Sequence, residues 1–94
     1  MEAPERDIAV KPRSDLAVEY IDDDLVVLDK KLGQIHQLNS TASLVWKGIA
    51  AGNSWRTIAT SLVERFDVST DTARTDVEKL VDQFRTLKLL ESEQ

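Results

Sequence analysis

The feature that most restricts the fold of this chain is a predicted strand that runs directly into a predicted helix. After Gly33, residues 34–38 read QIHQL and can extend as a strand. Asn39 or Ser40 then supplies the side-chain oxygen that caps the first helical turn. Because no loop separates the two elements, the strand must be joined rigidly to the helical body. One edge of such a strand can remain open for pairing with another chain.

Two further strands are predicted before this junction. Residues 16–21 alternate between two faces and are rich in β-branched and aromatic side chains, which is typical of a strand. The aspartates at 22–24 favour a turn, and the apolar run 25–28 is typical of a central strand covered on both faces. Residues 29–33 form the next turn. Short turns between successive strands predict a three-stranded antiparallel meander with residues 34–38 at one edge.

Three helices are predicted after the sheet. The first spans about residues 41–51 and stops before Gly52, the second begins after Ser54, and the third begins after Ser69. Their apolar residues recur at the spacing of helices that pack one face on a core. The predicted core positions are Ala42, Val45, Trp46, Ile49, Trp55, Ile58, Ala59, Leu62, Val63, Phe66, Ala73, Val77, Leu80, Val81, Phe84 and Leu87. The predicted fold class is α+β and winged-helix-like, a three-stranded antiparallel sheet followed by three helices.

The length and composition are those of one small globular domain. The chain has 94 residues, of which 41% are hydrophobic and 31% are charged. Residues 1–15 are mostly charged and contain both prolines, so we expect a flexible N-terminal arm there and the folded domain over residues 16–91. The arm lacks the apolar run of a signal peptide, and no segment is long and apolar enough to span a membrane. We therefore expect a cytoplasmic protein without membrane association.

The residue types that enzyme chemistry requires are scarce. The chain has no cysteine and a single histidine, His36, so its His and Cys side chains cannot assemble a zinc site. No serine has a histidine placed by the sequence to activate it, and the three glycines are too scattered for a phosphate-binding loop. The aspartates at 22–24 lack the further ligands of a calcium loop. We therefore predict a protein that is not an enzyme, with no catalytic residue, no cofactor and no metal site.

A winged-helix fold raises the alternative of a small DNA-binding regulator. In that class the third helix would enter the DNA groove by its first turn, which is residues 70–76 here. That turn holds two aspartates and one arginine, and the whole chain has a net charge of −5 and a pI of about 4.7. Both features repel phosphates, so the sequence favours a partner other than nucleic acid.

An ordered series of residues resembles the PqqD-like proteins. The series consists of Leu28, Asp29, Gly33, Leu38, Asn39, Ala42, Trp46, Ile58, Ala59, Leu62, Phe66, Asp67, Val68, Ala73, Asp76, Val77, Leu80, Val81 and residues 87–90. The resemblance covers about residues 16–91. The segments LDKKLGQIHQLN and LVDQFRTLKLLE are most similar to the stand-alone members of lasso-peptide clusters. The chain departs from these relatives at Ile35 and His36, where they often carry aromatic residues, and near Lys88, where they often carry glycine.

The resemblance implies a RiPP recognition element, a domain that binds the leader of a ribosomally synthesised and post-translationally modified peptide. By this resemblance, the leader adds a strand beside the third strand and lies against the third helix. The precursor is then presented to a separate leader peptidase or other maturation enzyme. On the strand, the expected peptide-binding residues are Gln34, Ile35, His36 and Gln37.

The contribution of the third helix to the peptide site is less restricted by the sequence. The expected peptide-binding residues on this helix are Arg74, Val77, Glu78, Val81 and Arg85. The opposite flank, with Lys79 and Gln83, is the competing choice. A further alternative is an accessory subunit whose open strand edge pairs with a protein partner.

Overall fold

The computed structural model of the protein describes residues 10–91. The elements in chain order are strands β1 (Ala17–Ile21), β2 (Asp24–Asp29) and β3 (Gln34–Leu38), followed by helices α1 (Ser40–Ala50), α2 (Trp55–Phe66) and α3 (Thr70–Thr86). The strands form one antiparallel sheet in the order β1-β2-β3. The predicted α+β fold class, with a three-stranded antiparallel sheet followed by three helices, is confirmed.

Each helix begins at a polar side chain that satisfies a free backbone donor. Asn39, Ser54 and Ser69 precede α1, α2 and α3, and each accepts a hydrogen bond from the N–H three positions later, at 2.9, 3.1 and 3.1 Å. Of the two residues predicted as the α1 cap, Asn39 is the cap and Ser40 is the first helical residue. A single residue therefore separates β3 from α1, which makes the predicted junction between them short.

The apolar faces of the helices meet one face of the sheet in a single core. At its centre, the rings of Trp46 and Phe84 pack edge to face with their centroids 5.1 Å apart. The buried apolar residues are Val10, Leu25, Val27, Leu38, Ala42, Val45, Trp46, Ile49, Ile58, Ala59, Leu62, Ala73, Val77, Val81, Phe84, Leu89 and Leu90. The predicted core residues that lie at its margin or outside it are Trp55, Val63, Phe66, Leu80 and Leu87.

The sheet is covered well on one face only. Along β2, Leu25 and Val27 are buried, whereas Val26 and Leu28 on the opposite face are half-buried. The prediction that this strand is covered on both faces is therefore wrong. A continuous apolar run does not distinguish a fully covered strand from one whose second face stays partly exposed.

The described part of the predicted N-terminal arm packs against the domain. Val10 is only 7% exposed and belongs to the core. Two backbone hydrogen bonds of 2.8 and 2.9 Å join residues 11–13 to residues 89–91, which follow α3. Residues 10–13 are thus packed where their composition predicted a flexible segment. Their backbone partners lie more than seventy positions away in the sequence. The remainder of the predicted arm, residues 1–9, lies outside the described residues.

Candidate peptide-binding site

The direction of the backbone groups of β3 follows from a hydroxyl at the end of its ladder with β2. Leu25 lies opposite Leu38 in the register. The Leu25 N–H donates to Ser43 Oγ at 2.9 Å, and this hydroxyl donates to the Leu38 carbonyl oxygen at 3.0 Å. The backbone groups of this pair therefore face each other, with the hydroxyl between them. Because backbone groups alternate in direction along an antiparallel strand, those of His36 and Gln34 also face β2.

The backbone N–H and C=O groups of Ile35 and Gln37 consequently point toward the outer edge of β3. This strand is last in the sheet order, and within residues 10–91 no further strand pairs with its outer edge. Alternating N–H and C=O groups on a sheet edge are the template with which an extended peptide pairs. The edge therefore has the backbone geometry that strand addition requires.

The side chains of β3 divide between the two faces of the sheet. Gln34 and His36 share the helix-covered face with the buried Leu38, and His36 Nε2 lies 3.2 Å from Gln34 Oε1. Ile35 and Gln37 project from the opposite face, where Ile35 is 72% exposed. The four predicted strand residues are therefore contiguous but not equivalent. Gln34 and His36 present side chains on the helix side, whereas Ile35 and Gln37 present backbone groups at the edge.

An open groove of about 790 Å³ lies between the β3–α1 junction and α3. Asn39 and Thr41 form the wall at the junction. The lining residues contributed by α3 and its end are Asp76, Lys79, Leu80, Asp82, Gln83, Thr86 and Leu87. Leu80 is half-buried and Leu87 is 38% exposed. The groove therefore combines apolar surface that a ligand could cover with polar and charged side chains around it.

Two of the residues predicted on the third helix are part of the core. Val77 is 1% exposed and Val81 is fully buried. Both side chains are buried in the core and neither lines the groove, so the expectation that they face the peptide is corrected. The physical reason is that the apolar stripe of α3 is wide enough to bury both valines.

The charged residues predicted on the same helix lie on the flank away from the groove. At about 100° per residue, Arg74, Glu78 and Arg85 fall on the far side of the buried stripe from most of the lining residues. Arg85 still reaches the groove border, because its Nη1 donates to Asp82 Oδ1 at 3.0 Å. The competing flank, represented by Lys79 and Gln83, lines the groove. The geometry favours this second choice, and peptide contact by either flank remains a prediction.

Several groove residues were missed by the sequence interpretation. Asn39 was recognised only as a cap, and Leu80 and Leu87 were assigned to the core. The sequence carried only a partial signal, because positions 76, 80, 83 and 87 follow helical spacing and border the core stripe. The sequence pattern does not say on which side of α3 the β3–α1 junction approaches.

Two further features of the described residues concern metal binding and membrane spanning. Within residues 10–91, no group of three or more His, Cys, Asp or Glu side chains is arranged to hold a metal ion. In the same part of the chain, no helix is long and apolar enough to cross a membrane. What the site presents is an open strand edge, apolar surface and polar side chains, which together can hold an extended peptide.

A small sheet with an open edge beside the final helix of a winged-helix-like body defines the PqqD-like class of α+β domain. The family model for Coenzyme PQQ synthesis protein D (PqqD) matches residues 24–90. The chain therefore belongs to the PqqD family, which confirms the resemblance found in its sequence.

Two solved structures share the fold over nearly all of the chain. Lasso peptide synthetase B1 complexed with the leader peptide has a TM-score of 0.81 and 26% sequence identity, covering 89% of this chain and 99% of that one. TbiB1 in complex with the TbiA(beta) leader peptide has a TM-score of 0.80 and 21% identity, covering 89% of this chain and 98% of that one. No curated protein matches the chain.

Proposed function

We propose that this protein is a RiPP recognition element that binds the leader of a precursor peptide as a fourth strand on the outer edge of β3. The observation that carries the proposal is the open edge at Ile35 and Gln37 beside the α3 groove. Membership of the PqqD family and the leader peptides bound to the two structural relatives support it.

Backbone pairing would supply affinity that depends little on the leader sequence. The N–H and C=O groups of Ile35 and Gln37 point outward and can each pair with an extended peptide. A hydrogen bond of this kind contributes about 0.5–1.5 kcal/mol net. Such bonds place the peptide in register without selecting its side chains.

Selection among leaders would come from the groove. A side chain on the helix side of the added strand can cover the apolar surface of Leu80 and Leu87. Full burial of one aliphatic or aromatic side chain contributes about 1.5–3 kcal/mol. After the cost of ordering the peptide, backbone pairing and two such anchors correspond to a dissociation constant of about micromolar or below.

The role we propose for the bound complex is presentation. The protein would hold the precursor for a separate maturation enzyme, a leader peptidase of the lasso-peptide type, in the cytoplasm where the precursor is synthesised. It would perform no chemistry itself. The DNA-binding alternative has less support, because the net charge of −5 opposes association with phosphates.

The test is a titration of the ¹³C,¹⁵N-labelled protein with a synthetic leader peptide from the precursor gene beside its own. We expect slower amide exchange at Ile35 and Gln37 and shifted side-chain signals at Leu80 and Gln83. A scrambled peptide is the control, and a duplex DNA titration at low salt tests the regulator alternative. Absence of leader binding, or shifts confined to α2, would overturn the proposal.

A further inference from the structure

The guanidinium of Arg13 joins three segments that are distant in the sequence. Its Nε and Nη2 donate to the Asp15 carboxylate at 3.1 and 2.7 Å, and Nη1 and Nη2 donate to the Asp29 carboxylate at 2.8 and 3.3 Å. Nη1 also donates to the carbonyl oxygen of Lys88 at 2.9 Å. These contacts engage every nitrogen of the guanidinium. The Arg13 side chain is 17% exposed.

Asp29, the partner of Arg13 at the end of β2, lies beside the turn that leads into β3. It ends β2 and pairs with Gln34, the first residue of β3. Its carboxylate is fully buried, and Oδ1 also accepts the Leu32 N–H at 3.1 Å. The same carboxylate therefore holds both Arg13 and the loop that leads into the edge strand.

Lys88, the third partner, lies in the turn that follows α3. It lies two residues beyond α3 with φ at 63°, and Leu89 after it is fully buried. The Lys88 carbonyl that accepts from Arg13 thus belongs to the turn that stops the helix. Since β3 and α3 bound the proposed peptide site, Arg13 connects the start of one wall to the end of the other.

We propose that Arg13 is a positioning residue for peptide binding, which sets the spacing between β3 and α3 without touching the peptide. This inference rests on the proposed function. Its physical basis is the planar guanidinium, which bonds a carboxylate with two parallel donors and still reaches a carbonyl. A lysine keeps the positive charge but cannot bridge all three partners in one geometry.

The test compares Arg13→Lys and Arg13→Ala with two controls, by leader-peptide titration and thermal unfolding of the full chain. Asp15→Asn removes the charge and one of the two acceptor oxygens that tie Arg13 only to its own segment. Arg56→Lys repeats the arginine-to-lysine change on the exposed face of α2. At temperatures where each variant is folded, we expect the Arg13 variants to bind the leader about 2- to 30-fold more weakly, with Arg56→Lys unchanged and Asp15→Asn affected less.

The amide spectrum of each free variant supplies a readout that needs no ligand. Loss of the bridge should shift signals of residues 32–36 and 86–90 together, whereas Asp15→Asn should leave both groups close to wild type. A failure of wild-type binding with these shifts intact would defeat the proposed function but not the bridge. Arg13 variants that lose stability and bind with wild-type affinity would overturn the positioning role, as would failure of both Arg13 variants to fold.

Discussion

Asn39 serves two elements at once, because it follows β3 directly and caps α1. Asn39→Ala removes the acceptor of the 2.9 Å bond from the Ala42 N–H, and we expect it to lower the free energy of unfolding by about 0.5–2 kcal/mol. Leader binding should also weaken, because Asn39 lines the groove. Urea denaturation and peptide titration measure the two effects. Asn53→Ala, at an exposed position that caps no helix, is the control, and equal stability of the two variants would contradict the prediction.

Lys88 occupies a left-handed conformation, with φ at 63°. This conformation costs a non-glycine residue about 1–2 kcal/mol. The larger unfolded-state entropy of glycine offsets about 0.5–1 kcal/mol of that cost. We therefore expect Lys88→Gly to raise the free energy of unfolding by up to about 1 kcal/mol, measured by urea denaturation.

Lys88→Ala separates the backbone effect from the loss of the lysine side chain. Alanine has a Cβ and keeps the left-handed cost, so this variant should match wild type. If alanine stabilises the protein as much as glycine does, the side chain and not the backbone conformation is responsible.

At the scale of the elements, β3 allows a prediction with opposite outcomes at neighbouring positions. The Ile35 N–H points to the open edge, so Ile35→Pro should leave the protein folded while removing a donor for the leader. The His36 N–H faces β2, so His36→Pro should lose a ladder bond and destabilise the protein by about 1–3 kcal/mol. Circular dichroism on heating and peptide titration distinguish the two variants. Equal loss of stability in both would mean that the assigned direction of the backbone groups is wrong.

Most of the element boundaries were predictable from local signals. Alternation in β1, the aspartate turn, and the polar caps Asn39, Ser54 and Ser69 act over a few residues, so they can be recognised without knowing the fold. The open edge of β3 was predictable for the same reason, whereas peptide contact by residues 34–37 remains a prediction. The flank of α3 that lines the groove depends on how two distant segments pack. No pattern within α3 reports that packing.

The same limit applies to the N-terminal segment. Arg13 and Asp29 are 16 positions apart, and Arg13 and Lys88 are 75 apart. A charged stretch with a proline is typical of a disordered terminus when it is read by itself. This segment is ordered by partners that are distant in the sequence. Composition alone does not show those partners, and it therefore led to the expectation of a flexible arm.

At the scale of the whole molecule, the Arg13 contacts make stability depend on pH in acid. The hydrogen bonds from Arg13, helped by that from the Leu32 N–H, hold the pKa of Asp29 below its ordinary value of 3.8, although burial opposes this shift. The unfolded chain therefore takes up the proton first as the pH falls. The stabilisation is complete above about pH 4 and is lost as the pH falls through the lowered pKa of the folded state.

Denaturation by urea at a series of pH values tests this linkage. We expect the free energy of unfolding to decline below about pH 4 in wild type. Asp29→Asn should be less stable at neutral pH and should decline less steeply in acid. The Asp15 carboxylate, whose pKa is also lowered by Arg13, is half-exposed, so Asp15→Asn should have the smaller effect. Parallel pH profiles for wild type and Asp29→Asn would contradict the assignment.

The half-covered sheet has a consequence for how leader sequences can evolve. A strand added to β3 would continue the pleat, so successive leader side chains would alternate between the helix side and the outer face beside Ile35. If the leader binds as proposed, the groove would contact only the first set. The side chains on the outer face would stay exposed in the complex. They could vary in some lineages and contact the maturation enzyme in others. Alternate side chains of one short peptide could thus be recognised by two different proteins.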